Sequence, residues 1–237
     1  MPVYTKQEDD ALYPADLSLT EGEVALVKSI FGDEIDTDIV KKSYSARYKP
    51  GKDKGAKIPA QTFGKDSIRF YGAQYIQEDY SQIVYNIKAD SNIFNFGCFI
   101  HEMTHIWQNQ NDVPNKALEG ENGYQYTLKA QSTFDDFGWE QQACLIEDYA
   151  REFLYPGKNR CAVRSFGKDD PRTLLLLQDV VEKRFPQAAE TREALEAKRA
   201  AIAAAQPKGL TRLFKNLAAR GKKVAPIVRS LRLPKFG

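Results

Sequence analysis

His101-Glu102-Met103-Thr104-His105 sets two imidazoles four residues apart with a carboxylate between them. On a helix, positions i and i+4 share one face about one turn apart, so both rings can reach one ion. Glu102 lies about 100° around the helix from His101, which puts its carboxylate beside the metal's water and off the metal itself. The chemistry such an arrangement supports is hydrolysis. A zinc-bound water, its pKa lowered toward ~7, gives a proton to the carboxylate and attacks a carbonyl that the ion polarises. The chain contains two histidines, and this motif uses both.

A hydrolytic zinc needs a third protein ligand and an open fourth position. No third histidine exists, and Cys98, Cys144 and Cys161 follow neither a zinc-ribbon nor a CxxC spacing, so a carboxylate must serve. Glu140, in Phe137-Gly138-Trp139-Glu140-Gln141-Gln142-Ala143, is the first candidate, because an unpaired carboxylate beside so apolar a turn is costly. Glu147, seven residues on and on the same helical face, is the runner-up. Asp148 is placed to accept a hydrogen bond from a ligating imidazole and fix its tautomer. An oxyanion stabiliser would have to be a tyrosine or an arginine. Tyr124 and Tyr126, between the two ligand-bearing segments, are the candidates, with Tyr149 and Arg151 also available.

The elements that must position these groups follow from periodicity. Thr20 caps a helix through Phe31, with Glu23 reaching back, Val24, Val27, Ile30 and Phe31 on one face, and Gly32 closing it. Residues 39–48 and 67–72 read as strands, with a charged Gly/Pro loop over 51–66 between them. Ile83–Ile87 fits either a short strand or a helix start. From Asn92, the residues Ile93, Phe96, Ile100, Met103 and Trp107 recur at helical spacing through Gln108. Residues 109–136 form a long polar connection, of the length that is commonly functional. Helices are expected at about 139–154, 173–184 and 190–205. The outline is α+β, mainly helical, with a small early sheet and the HExxH helix at its centre.

Composition sets the frame. With 237 residues, 42% hydrophobic and 28% charged, the chain is long enough for one domain with a real core plus an appendage. A cleavable secretory signal and a membrane-spanning helix are not expected. Three cysteines make a disulfide scaffold a poor fit, and reduced, partly buried thiols are expected. Residues 207–237 carry nine Lys or Arg and no acid, so against an overall charge of +2 the first 206 residues sum to −7. This divides the chain into a polar lead-in over 1–17, a catalytic domain over 18–206 and a basic tail over 207–237. Leu210, Leu213, Phe214 and Leu217 form an amphipathic stripe in the tail, which suits an anionic membrane surface, an acidic partner or the chain's own acidic domain. Nucleic-acid binding is not expected, since the tail has almost no aromatic side chains for base stacking.

Four blocks in fixed order, LTEGEVALVKSIFGDEID, FIHEMTHIWQ, YxYxL at Tyr124, Tyr126 and Leu128, and FGWEQQACLIEDY, resemble the bacterial Vgr-related zinc metallopeptidases over about residues 18–150. Similar domains end some VgrG spike proteins of type VI secretion systems. The resemblance implies a zincin-like, gluzincin-type domain in which the EQQA block makes Glu140 the third zinc ligand. Many gluzincins carry an acid four residues after that ligand, where this chain has Cys144. The resemblance also implies an antibacterial effector, made in the cytoplasm and passed by a type VI system into the periplasm or cytoplasm of a rival cell. A spike protein and an immunity protein would be its partners.

Two further readings remain open. The same zinc chemistry would serve a peptidoglycan amidase or endopeptidase as well as a protease. A noncatalytic zinc-containing module that binds a membrane or a protein is a different class, against which an open three-ligand site argues.

Overall fold

Thr20 opens the first helix. Its side-chain oxygen accepts the Glu23 N–H at 3.1 Å, and Glu23 Oε2 accepts the Thr20 N–H at 2.9 Å, closing the expected capping box on α1 (Glu21–Phe31). The same carboxylate is fully buried and meets Lys42 Nζ at 2.7 Å through both oxygens, while Oε1 also accepts the Tyr80 N–H at 2.9 Å. Lys42 is 1% exposed, and its third acceptor is the Glu78 carbonyl at 3.1 Å. An ammonium has three donors and all three are used. A buried pair is tolerable only when its lone pairs and protons are satisfied in this way. One ion pair thus ties α1 to the sheet and to the segment at 75–81.

The computed structural model describes residues 16–45, 49–50, 57–72, 75–81, 90–114, 123–154 and 171–205. Its main sheet contains β1 (Leu17–Ser18), β2 (Lys41–Ser45), β5 (Ala60–Phe63) and β6 (Ser67–Tyr71) in the order β1-β2-β6-β5. The two central strands are parallel, in the register Lys42↔Ile68 and Tyr44↔Phe70, and the outer pairings are antiparallel. Ile68 and Phe70 alternate inward with Arg69 outward, the period of two that strand geometry requires. A separate antiparallel pair joins β3 (Lys49–Pro50) to β4 (Lys57–Ile58). Residues 51–66, read as a loop, therefore contain β4 and β5. Ala60-Gln61-Thr62-Phe63 is too short and too flanked by Lys, Gly and Pro to announce itself as a strand. Leu17 and Ser18, where the lead-in meets the domain, are the antiparallel partners of Lys42 and Lys41.

Against this sheet lies α2 (Asp90–Gln110), which carries the HExxH motif and packs on β5 and on α3 (Trp139–Tyr149). Phe96, Phe99, Ile100, Met103, Ile106 and Trp107 are all buried, so α2 is a central helix and not a one-sided surface one. Two aromatic clusters flank it. Tyr44, Phe70, Tyr80 and Phe99 run from sheet to helix with successive centroids 6.0, 4.7 and 4.9 Å apart. Phe31, Trp107, Phe134 and Phe185 form the second, with spacings between 5.1 and 6.3 Å. Each such side chain, fully buried, contributes about 1.5–3 kcal/mol. The helix ends in a Schellman arrangement, in which the Val113 N–H reaches Gln108 O at 2.9 Å around Asp112, whose φ is +49°.

Beyond α3 the chain makes one π-helical stretch, Ala150–Leu154, and then α4 (Pro171–Arg184) and α5 (Pro186–Ala205). With five α-helices among the described residues and one four-stranded sheet, the expected mainly helical α+β class holds. Two compact units are distinguished, Met1–Arg192 and Glu193–Gly237. The second has its described residues, 193–205, in helix. The expectations for Ile83–Ile87 and for the tail at 207–237 lie outside the described residues. Among those described, no helix is long and apolar enough to cross a membrane.

Candidate metal centre

One turn of α2 separates His101 from His105, whose ring centroids are 4.9 Å apart. The first turn of α3 brings Glu140 to them. Its Oε2 lies 3.2 Å from His101 Nε2 and 3.4 Å from His105 Nε2. Ligand atoms at about 2.0–2.1 Å from a tetrahedral zinc stand roughly 3.3–3.4 Å from one another. The donor set of two imidazoles and a carboxylate, at that spacing, fits such an ion. Burial works to raise the Glu140 pKa, but the neighbouring His101 and His105 side chains outweigh it and hold the carboxyl below its usual range. Glu140 is therefore an anion where a cation would sit.

Glu102, next to His101 on α2, is buried. Thr62, on edge strand β5, donates its hydroxyl to Glu102 Oε2 at 2.8 Å. The missed strand thus supplies the hydrogen bond that holds the carboxylate.

Behind His101 the arrangement differs from the expected one. The acceptor for Nδ1 is Glu147 Oε2, at 3.1 Å, and not Asp148. Asp148 instead takes the hydroxyl of the buried Tyr126 at 2.7 Å. On the helix Glu147 falls on the stripe of Glu140 and Cys144, whereas Asp148 is rotated by about 100° from Glu147. The other Glu147 oxygen pairs with Arg151 Nη2 at 2.6 Å. Arg151 lies in the π-helical stretch, and its guanidinium occupies the space that a Cβ at Gly97 would fill. Cys144 completes a second, buried group with His101 and Glu147. Cys98 and Cys144 are buried and form no disulfide, and burial pushes the Cys98 pKa up. Cys161 lies outside the described residues.

The two tyrosine candidates part ways. Tyr124 is 50% exposed and stacks on His101 with centroids 6.0 Å apart. Burial of its phenol and the Glu140 charge raise its pKa, so the hydroxyl keeps its proton as a donor. Tyr126 is turned inward to Asp148, Tyr149 donates to Glu182 at 2.8 Å, and Arg151 is held by Glu147. The structure brings Tyr124 to the cluster and engages the other three elsewhere.

Sequence reasoning missed Thr62, and it missed Gln108, whose Oε1 is 2.7 Å from His105 Nδ1. Gln108 stands three residues after His105, a spacing that faces it to the ring. Thr62 left no local signal.

No protein-family model matches the chain. It is similar to the type VI secretion system spike protein VgrG2b of Pseudomonas aeruginosa, 29% identical over 152 residues. The aligned stretch is 57% of this chain and 13% of that protein, so the chain matches only a small part of the spike protein's length. Among solved structures it is similar to the effector domain of Pseudomonas aeruginosa VgrG2b, with 29% identity and a TM-score of 0.42, covering 59% of this chain and 76% of that one.

Proposed function

We propose that this chain is a zinc-dependent hydrolase of the metallopeptidase type, acting on peptide or amide bonds as a type VI secretion effector against other bacteria. The observation that carries the chemical half is the convergence of His101 Nε2, His105 Nε2 and Glu140 Oε2, with Glu102 next to His101 on α2 and its carboxylate held by Thr62. The delivery half rests on the similarity to VgrG2b. A spike protein and an immunity protein are proposed as partners on that basis.

In this reading His101, His105 and Glu140 hold zinc, which when bound polarises the scissile carbonyl and acidifies water. Glu102 accepts the proton of the attacking water and later delivers it to the departing amine, so one carboxylate serves as base and then as acid. Thr62 keeps that carboxylate in one orientation. Tyr124, protonated and next to His101, donates its hydroxyl to the oxygen on which negative charge develops. Tyr126 braces Asp148.

Metal analysis of the purified chain and turnover by Glu102→Gln test the proposal together. Wild type is expected to hold about one zinc per chain and to cleave a mixed protein substrate or purified peptidoglycan. The variant keeps the zinc and loses about 10²–10⁴-fold in rate, the usual share of a positioned acid–base group. A wild-type chain that takes up no transition metal, or a variant as active and as toxic to rival bacteria as the parent, would refute it. The second result would favour a noncatalytic module.

A further inference from the structure

We infer that Gln108 is a positioning residue of this centre: its side-chain amide dictates which nitrogen of His105 carries the proton, and so turns the Nε2 lone pair toward the ligand cluster. The inference rests on the metal-site reading above and adds what fixes one of its ligands.

The donors and acceptors around Gln108 leave its amide one orientation. Gln108 is 0% exposed, so every polar atom it has must find a partner inside the protein. Its Nε2 lies 2.9 Å from the Trp139 carbonyl and 2.9 Å from Gln142 Oε1. A backbone carbonyl can only accept, so the amide NH2 must face it, and the amide cannot be turned over without setting two oxygens against each other. Oε1 is thereby committed to the opposite side, where His105 Nδ1 sits 2.7 Å away. Facing an acceptor that has no hydrogen to give, Nδ1 must be the protonated nitrogen. Nε2, 3.4 Å from Glu140 Oε2, is then the nitrogen with a free pair.

The anchor of this amide is itself fixed. Gln142 Nε2 donates to the Phe134 carbonyl at 3.3 Å, and Gln142 is buried in α3 two residues after Glu140, in the same turn. The turn that supplies the carboxylate ligand therefore also orients the second histidine, through a neutral relay. His101 is served differently, by the anionic Glu147 with Arg151 as counter-ion. A carboxylate partner makes an imidazole a stronger donor to a metal than an amide does. The two histidines are thus unequal ligands, and the amide on His105 spares the centre a second negative charge at its rear.

The test uses the full chain, zinc as the only ligand, and the variant Gln108→Leu. In zinc-free protein at mildly alkaline pH, long-range proton–nitrogen correlation spectra identify the protonated nitrogen of each of the two histidines. His105 is expected to carry its proton on Nδ1 in wild type and to shift toward the other tautomer in the variant, with His101 unchanged. Zinc affinity, read by competition with a chromophoric chelator, is expected to fall about 10–100-fold, the usual loss on removing an outer partner of a ligating histidine. If Gln108→Leu does not fold, Gln108→Met, which fills similar space with only a weak acceptor, replaces it. Wild type protonated on His105 Nε2, or a folded variant with either tautomer or zinc affinity unaltered, overturns the inference. A wild-type chain that binds no zinc sinks the metal-site reading instead, and the tautomer spectra alone then decide the role of Gln108.

Discussion

Glu147 Oε2 accepts from Nδ1 of His101 at 3.1 Å, on the side of the ring opposite the nitrogen that faces Glu140. The relationship gives the imidazole a fixed tautomer and links it, through the second Glu147 oxygen, to Arg151. Glu147 is 2% exposed in its side chain and Arg151 7%, so the link operates out of water.

Replacing Glu147 therefore has two separable effects. Glu147→Ala is expected to weaken zinc binding about 10–100-fold. It also strands the Arg151 charge, a loss of about 3–5 kcal/mol in folding stability. Glu147→Gln keeps an acceptor for His101 and should lose less metal affinity. Chelator competition and thermal melting of the zinc-free chain measure the two effects independently, and equal zinc affinity in all three proteins would disprove the link.

Tyr124→Phe removes a hydroxyl without touching a proposed ligand. Turnover should fall about 10²–10³-fold, as on losing one oxyanion donor, with zinc content and KM little changed. A variant that turns over as fast as wild type would show that the ring stacked on His101 only shapes the cleft.

Gly97→Ala tests the slot for Arg151. The added Cβ would meet the guanidinium, which is wedged by Glu147 and the Phe94 carbonyl. Overpacking of this kind costs about 1–3 kcal/mol. Melting temperature should drop, and zinc affinity should drop with it because Arg151 steadies the acceptor of His101. A variant that melts and binds zinc as wild type does would mean that Arg151 relocates freely.

Much of this was legible in the sequence because it is local. The Thr20–Glu23 cap, the spacing of His101 and His105, and an acid in the first turn of the next helix each need only a few neighbouring residues. What escaped is what neighbours do not determine. Strand β5 exists because β6 and α2 hold it, and four residues in a Lys- and Gly-rich stretch carry little intrinsic strand signal. Tyr126 and Tyr124 are two residues apart, yet one is turned in to Asp148 and the other out onto His101. The choice between Glu147 and Asp148 was open to closer reading, since only Glu147 shares the stripe of Glu140.

The two histidines and Glu140 belong to different helices, 35 positions apart between His105 and Glu140. Neither α2 nor α3 alone contains a binding site, however well formed it is. Mild denaturation that lets the pair separate should abolish metal retention while most of the helical signal persists, making chemistry the first casualty of loosening and secondary structure the last.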